Sequence, residues 1–258
     1  MARSERIAFV SPRFPSGSTV GGAETLLKSL AIRTARSGRQ VTFLTTCATS
    51  HFTWENSRPE GREQHDGLDV MFFPVDPDRD VGTFLDIQRR ISTGLPVPDA
   101  DEMAWLRNSV NSRPLYAHLE QHGADYDRIV MGPYLFGLTY FASLIRPDRT
   151  LLVPCLHDEP FARLQCFRRM FHSVHGIMFN AEPERDMATR LGYQFARSWV
   201  VGIGLEPFDS DPLAFARQRG IGAPYLLFSG RREPLKGTPL LIDYIGAFRS
   251  RTGRDIKL

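Results

Sequence analysis

The sequence predicts an α/β protein in which helices cover both faces of a parallel β-sheet. Short apolar runs of strand length alternate along the chain with segments whose apolar residues recur at helical spacing. Hydrophobic residues make up 42% of the 258 residues and charged residues 24%, which is enough apolar material for a packed core. Alternation of this kind predicts successive βαβ units, and such units build a parallel sheet.

The predicted elements begin with a strand at residues 7–10 and a helix at residues 22–37. In that helix Leu26 and Leu27 belong to one apolar face, and Gly38 supplies a stop signal. Further strands are expected at residues 41–44, 68–73, 128–131, 151–156, 176–179 and 199–201, and further helices at 100–122, 134–144, 159–171 and 182–191. Because parallel sheets bind ligands at the carboxyl ends of their strands, a functional site is expected in the loops that follow the strands.

Residues 202–224 concentrate glycine and proline, which predicts a linker with a short helix near residues 213–218. After the linker, a strand, a helix and the start of another strand are predicted at residues 225–229, 238–249 and 255–258. One helix with two strands cannot bury a core of its own. We therefore expect a complete domain at residues 1–203, and a linker with an incomplete second domain at residues 204–258.

Composition and charge exclude several classes of function. The net charge of +3 is too small to predict a nucleic-acid partner. The three cysteines, Cys47, Cys155 and Cys166, form neither a disulfide framework nor a zinc cluster by their spacing. The polar segment before Ile7 lacks the apolar core of a signal peptide, and no apolar stretch approaches the roughly 20 residues of a membrane helix. A cytoplasmic protein is expected.

A glycine pair opens the first predicted helix. Gly21 and Gly22 follow the first strand and precede Glu24. The N-terminus of a helix offers unpaired N–H groups, and paired glycines allow an anion or a sugar to approach the backbone closely. The alternative is a tight turn between strand and helix. The segment matches neither the dinucleotide fingerprint nor a P-loop.

A basic turn lies between the predicted strand and helix of the second domain. The segment runs from Gly230 to Gly237 and contains Arg231 and Lys236. A planar guanidinium and a compact ammonium group together suit a diphosphate. The alternative is a solvated basic turn.

A histidine follows the fifth predicted strand, where it would face the ligand crevice. His157 is succeeded by Asp158 and Glu159, which could orient the imidazole. The alternatives are a structural hydrogen bond for His157 and a helix-capping role for Asp158.

Three pairs of aspartates have the spacing D-x-D, but all lie in proline-rich loops or in the linker. We interpret them as turn residues and predict no metal site. The pairs are Asp76 with Asp78, Asp99 with Asp101, and Asp209 with Asp211.

Taken together, the glycine pair, His157 and the G-R-x-x-x-x-K-G element after the linker resemble the family 4 glycosyltransferases. The resemblance extends from Ile7 to Leu258 and implies a GT-B fold. In that fold an acceptor-side Rossmann-like domain precedes a second Rossmann-like domain, which binds a nucleotide-sugar donor. It also implies sugar transfer with retention of configuration, no metal and no cofactor, to a glycan, a lipid-linked or a small-molecule acceptor.

The resemblance assigns roles to particular residues. It implies that His157, Arg231 and Lys236 are catalytic, with His157 on the transferred sugar and the two cations on the leaving diphosphate. The donor diphosphate and sugar would be contacted by Gly21, Gly22, Gly230, Arg231 and Lys236. Glu24 and Asp158 would lie on the acceptor side.

The chain departs from the family pattern at one point. The family has an E-x7-E pair in the donor domain, whereas no glutamate follows Glu233 here. We therefore expect a truncated donor domain and poor activity of this chain alone. The alternatives are a non-catalytic sugar- or nucleotide-binding module, part of a split enzyme, or a GT-B sugar-nucleotide epimerase.

Residues 161–171 mix phenylalanine with arginine. One interpretation is peripheral contact with the inner face of a membrane, since basic aromatic helices bind anionic lipid. The alternative is a core helix with a solvated arginine face.

Overall fold

The structure is a computed structural model that describes residues 4–15, 21–204, 207, 209–222, 224–230, 232 and 236–258. The chain divides into two compact units, Met1–Gly204 and Leu205–Leu258.

The first unit is built on a single eight-stranded sheet within the described ranges. Its strands are β1 Arg6–Ser11, β2 Gln40–Thr46, β3 Gly61–His65, β4 Leu68–Phe73, β5 Arg128–Met131, β6 Thr150–Leu152, β7 Gly176–Phe179 and β8 Ser198–Val200. The spatial order is β3-β4-β2-β1-β5-β6-β7-β8. Every neighbouring pair is parallel except β3 with β4, which are antiparallel. The predicted parallel α/β fold is confirmed.

Helices connect the parallel strands. They are α1 Gly22–Arg36, α2 Val81–Ser92, α3 Asp99–Arg107, α4 Arg113–His122, α5 Gly137–Ser143, α6 Gln165–Ser173 and α7 Glu182–Arg190. A 3₁₀ turn at Pro160–Arg163 precedes α6. Local sequence sets several starting points: the Asp80 carboxylate accepts the Thr83 N–H at 3.0 Å and so caps α2. Ser112 caps α4 in the same way by accepting the Leu115 N–H.

Alternate residues of the central strand are buried on opposite faces of the sheet. Ala8 and Val10 join one apolar cluster with residues of α2 to α7, whereas Phe9 joins a second cluster with Leu27 of α1. All four side chains are at most 2% exposed. The sheet is therefore covered on both faces, as the continuous apolar strands predict.

The start of α6 is capped from a different helix. The N-cap residue of α6, Leu164, has no side chain that could accept a hydrogen bond. Glu102 of α3 supplies the acceptor instead: its two carboxylate oxygens accept the N–H groups of Gln165 at 3.0 Å and Cys166 at 2.8 Å. A buried carboxylate is satisfied in this way, and α3 is fixed to α6.

The second unit contains two helices in its described residues, α8 Pro212–Gln218 and α9 Thr238–Thr252. Asp211 caps α8 by accepting the N–H groups of Leu213 and Ala214. Tyr225 forms a parallel bridge with Lys257, on the far side of α9 along the chain. The two segments predicted as strands thus pair in parallel through one bridge, in the manner of a βαβ unit.

Several predicted elements differ from the structure. The predicted helix at residues 100–122 is two helices, because the Asn111 amide donates to the carbonyls of Leu106 and Arg107 and ends α3 there. The predicted strand at residues 151–156 ends at Leu152, and the left-handed backbone of Cys155 (φ 53°) turns the chain away. Two elements, β3 and α2, were not predicted.

Five of the six aspartates in the D-x-D pairs have structural contacts of their own. Asp76 and Asp78 both bind an arginine of α4. Asp99 and Asp101 were predicted to lie in a loop, but they lie in the first turn of α3. Each binds an arginine of a neighbouring helix. Asp211 caps α8.

The basic aromatic segment is a core element. Phe167 and Phe171 are fully buried, and Phe161 stacks on Trp105 with ring centroids 5.3 Å apart. The two fully buried rings are therefore unavailable to a lipid surface, which favours the alternative of a core helix with a solvated arginine face. Across the described residues, no helix has both the length and the apolar character that crossing a bilayer requires.

We predict that Leu27→Ala lowers the free energy of unfolding by about 2–5 kcal/mol, because it leaves a cavity between α1 and the sheet. Urea unfolding followed by circular dichroism measures the change. Leu85→Ala is the matched control: Leu85 is 55% exposed, so its truncation is expected to stay within about 0.5 kcal/mol of the unsubstituted protein. Equal losses for the two variants would contradict the placement of α1.

Candidate functional site

The candidate site lies at the carboxyl edge of the sheet, near the point where the strand order reverses. β1 has β2 on one side and β5 on the other, and the chain proceeds outward from β1 in both directions. In such sheets the connections diverge at this point and leave a crevice. The residues that follow β1, β5, β6 and β7 therefore form the edge to which sequence reasoning assigned the glycine pair and His157.

The loops after β6 and β7 are fastened together by one carboxylate. Glu184 of α7 accepts the Leu156 N–H at 2.7 Å and the Asn180 N–H at 2.6 Å. Two backbone donors that the ends of the strands leave unpaired are thereby satisfied. Sequence reasoning did not single out Glu184, although an acidic residue in the first turn of a helix is a recognisable signal.

The loop after β5 is fastened to the same region. The Tyr134 N–H donates to the Pro154 carbonyl at 3.1 Å, and the Tyr134 hydroxyl donates to Glu159 at 2.7 Å. Burial of Tyr134, together with the negative charge of Glu159, raises the pKa of its hydroxyl. The hydroxyl therefore remains a hydrogen-bond donor throughout the ordinary pH range, and it fixes Glu159.

His157 is exposed on the turn that these contacts support. Within the described ranges, no side chain or backbone group hydrogen-bonds its imidazole. Asp158 neither caps the following 3₁₀ turn nor bonds His157; its carboxylate accepts from Arg163 at 2.8 Å. The structure thus places His157 on a turn held by these contacts, with its ring exposed. Asp158 has neither of its two predicted roles, orienting His157 or capping the following helix, and pairs with Arg163 instead.

A buried ion pair lies at the start of α1. The Arg13 guanidinium donates through Nε and Nη2 to one oxygen of Glu24, at 3.1 and 2.6 Å, and both side chains are 8% exposed. A third donor, Nη1, reaches the Thr49 carbonyl after β2 at 3.0 Å. The same guanidinium lies 5.9 Å from the centre of the Trp54 ring. Arg13 therefore connects the loop after β1 to the start of α1 and to the loop after β2.

Sequence reasoning missed Arg13, because a single arginine in the loop after a strand carries no local signal. It did select Glu24, Gly21 and Gly22. Gly21 is the N-cap residue of α1, and Glu24 is the third residue of the helix.

The two glycines differ in their surroundings. A Cβ atom added to Gly21 would meet Oε2 of Glu24 at 2.1 Å, whereas one added to Gly22 would meet nothing within 4 Å. The Glu24 side chain thus folds back over Gly21, as glutamates at this helix position commonly do. The space beside Gly21 is occupied by a carboxylate of the protein, and only the space beside Gly22 is open.

Burial and two nearby carboxylates raise the pKa of the Cys155 thiol, which lies between these loops. Burial, with smaller effects from Glu184 and Glu24, raises the pKa of Cys155 to about 11. Asn180 donates a weak hydrogen bond to its sulfur, at 3.6 Å. A thiol with this pKa is protonated at neutral pH and is a poor nucleophile, so Cys155 is a packing residue at this edge.

The basic turn of the second unit is partly described. Lys236 is exposed and precedes Gly237, whose φ of 71° is left-handed and whose position is the N-cap of α9. Glycine is suited to this conformation because it lacks a Cβ atom. Gly230 lies near the Phe228 ring, which a Cβ atom would approach to 3.2 Å. Arg231 lies outside the described residues.

No cluster of three or more His, Cys, Asp or Glu side chains suited to a metal ion occurs in the described part of the chain.

Comparison with known proteins identifies the fold. Neither a family model nor a curated protein sequence matches this chain. Solved structures do. Sucrose-phosphate synthase from Thermosynechococcus elongatus has a TM-score of 0.64 at 12% identity, over 94% of this chain and 60% of that one. The apo structure of OtsA has a TM-score of 0.60 at 15% identity, over 96% and 62%. A glycosyltransferase from Rickettsia africae ESF-5 has a TM-score of 0.56 at 10% identity, over 98% and 59%.

This chain has a GT-B fold. The predicted fold class is confirmed, since the sheet is present and the solved structures that match nearly the whole chain are GT-B glycosyltransferases. At identities of 10–15% the likeness shows the fold alone. The chain spans about 60% of the length of these structures.

The buried ion pair yields a test of the site's construction. We predict that Arg13→Met lowers the free energy of unfolding by about 3–5 kcal/mol, because it leaves the Glu24 carboxylate buried without its partner. Arg13→Met combined with Glu24→Leu is expected to be less destabilised than Arg13→Met alone, since no unpaired charge remains. Urea unfolding of the double-mutant cycle measures both effects.

The control for this cycle is Arg89→Met. Arg89 pairs with Asp86 on the surface of α2, with side chains 74% and 55% exposed. Its loss is expected to change the stability by no more than about 1 kcal/mol. Additive effects of the Arg13 and Glu24 substitutions would show that the pair is not coupled as described.

Proposed function

We propose that this chain is part of a retaining glycosyltransferase of the family 4 type, which transfers a sugar from a nucleotide-sugar to an acceptor without a metal ion. The observation that carries the proposal is the fold that the chain shares with a sucrose-phosphate synthase and a glycosyltransferase. The exposed His157 on the carboxyl edge of the sheet supports it, because this edge is where ligands bind in such folds.

In this proposal Lys236 stabilises the charge that develops on the leaving diphosphate. Its ammonium group is exposed immediately before α9, and the N-terminus of that helix adds a partial positive charge. Positive charge that is fixed before the reaction lowers the barrier to departure of an anionic leaving group. Arg231 is proposed for the same role on the basis of the sequence pattern alone.

The surroundings of the glycine pair refine the proposed roles on the acceptor side. The Glu24 carboxylate occupies the space beside Gly21, so we assign the donor contact to Gly22 rather than to Gly21. Arg13 binds Oε1 of Glu24, and none of the described residues donates to Oε2. We propose that Oε2 accepts a hydrogen bond from an acceptor hydroxyl, with Arg13 as its positioning residue.

We predict that the 258-residue chain binds nucleoside diphosphates more weakly than micromolar, and that Lys236→Ala weakens the binding further. Isothermal titration calorimetry with UDP, GDP and ADP measures the dissociation constants. Lys257→Ala is the matched control, because Lys257 is also an exposed lysine of the second unit and lies outside the basic turn. Submicromolar binding by this chain, or equal losses for the two lysine variants, would contradict the proposal.

Release of a nucleoside diphosphate from a panel of nucleotide-sugars tests transfer itself, on this chain and on any longer product that the reading frame encodes. His157→Ala and Lys236→Ala are each expected to lower kcat by roughly 10²–10³, the usual cost of one charge-stabilising group. His172→Ala, at an exposed histidine of α6, is expected to be neutral. Donor binding without turnover would favour the non-catalytic binding module.

A further inference from the structure

A groove outside the proposed catalytic residues lies on the first unit, between α2, α3 and the segment that enters α6. Its volume is about 250 Å³. Pockets for drug-sized ligands measure roughly 300–1,000 Å³, so this groove has room for one ring and a few polar atoms. Its walls come from residues 91–97, the first turn of α3 and residues 160–165.

The walls of the groove are held by contacts that do not involve a ligand. Arg90 of α2 bonds Asp101 of α3 at 2.7 Å. Glu102 of α3 accepts two N–H groups at the start of α6. Arg169 of α6 donates a hydrogen bond to the Asp99 carboxylate of α3 at 2.7 Å. The groove is therefore preformed, and a ligand would not have to organise it.

The lining combines an apolar floor with a buried hydrogen-bond acceptor. Ile91 and Leu164 are 2% and 6% exposed and form apolar surface within the groove. Leu95 stands at its opening and is 57% exposed. Glu102 is 3% exposed, and each of its oxygens accepts one backbone N–H. The Cys166 thiol also hydrogen-bonds this carboxylate. A carboxylate has about four acceptor sites, so capacity remains for one hydroxyl group of a ligand.

The charges select against anions. Glu102 and Asp99 bring two carboxylates to the groove. Arg163 also lines it, and it donates to the Asp158 carboxylate and to the Glu159 carbonyl. Arg163 is thus paired with Asp158 and Asp99 with Arg169, so an anionic ligand would face the Glu102 carboxylate, which forms no ion pair within the described part of the chain.

We propose that this groove binds an uncharged compound that carries hydroxyl groups on or beside an apolar ring. Arg163 connects the groove to the proposed catalytic turn, because it also holds Asp158, the neighbour of His157. Resting on the proposed function, we assign the groove to a ring of the acceptor that carries or adjoins hydroxyl groups.

Methyl NMR of the full chain tests the proposal with phenyl β-D-glucopyranoside as the probe. Saturable shifts are expected for the methyl groups of Ile91, Leu95, Val97 and Leu164. Methyl β-D-glucopyranoside, which lacks the ring, and benzoate, which replaces the hydroxyl groups by a charge, are each expected to bind at least about tenfold more weakly. Equal binding of either comparator, or shifts confined to other methyl groups, would overturn the proposal.

Leu95→Asp tests the groove without disturbing the core, since Leu95 is exposed. The added charge is expected to weaken probe binding at least about tenfold. Leu85→Asp, at a leucine of similar exposure that does not line the groove, is expected to bind as the unsubstituted chain does. Unchanged binding by Leu95→Asp would overturn the proposal.

The outcome is separable from that of the proposed function. If the protein binds the probe but releases no nucleoside diphosphate, the groove proposal stands and the proposed transferase function is overturned. If the protein transfers sugar but does not bind the probe, the transferase function stands and the groove proposal is overturned.

Discussion

Burial of the central strand on both faces is the constraint on which the rest of the first unit depends. Ala8 and Val10 face one helical layer and Phe9 faces the other, so the middle of β1 has no exposed surface on which to display a polar group. Polar side chains that serve chemistry are excluded from the strands for this reason, because a buried polar group without a partner costs free energy. Such polar side chains can instead lie in the loops at the carboxyl ends of the strands. The ion pair of Arg13 and the exposed His157 both lie there.

Loops at such an edge need partners of their own, since their backbone groups have left the sheet ladder. In this protein several of the partners are carboxylates. Glu184 accepts two N–H groups from the loops after β6 and β7, and Glu24 takes two donors from Arg13. Glu102 likewise accepts two backbone N–H groups at the start of α6. Glu184 and Glu102 each join segments that are distant in sequence, so these contacts fix the edge in addition to its apolar packing. A rigid edge is what a site requires if its ligand contacts are to be fixed before binding.

The sequence predicted what depends on local pattern, and it missed what depends on contacts across the fold. The bounds of β4, β5 and β7 follow from apolar runs and agree with the prediction. β3 was missed because its residues are polar and mostly exposed, so pairing with β4 defines it rather than apolar burial. α2 could have been found, since Asp80 is a cap and Ile87 and Ile91 share a face. At the site, Glu24 has a local signal, but the position of Arg13 beside it follows only from the fold.

Arg163 shows how an unremarkable surface arginine can join two sites. Its guanidinium has one hydrogen bond to the Asp158 side chain and one to the Glu159 carbonyl, while its side chain lines the groove against α3. Glu159 is fixed independently by the Tyr134 hydroxyl, so the turn has a second anchor and does not depend on Arg163 for its position. The arginine can therefore respond to an occupant of the groove at little structural cost. Its bond to Asp158 is exposed, and exposed pairs contribute only about 0–1 kcal/mol. A ligand contact of comparable strength is enough to redirect that side chain, and this gives the groove a physical route to the residue next to His157.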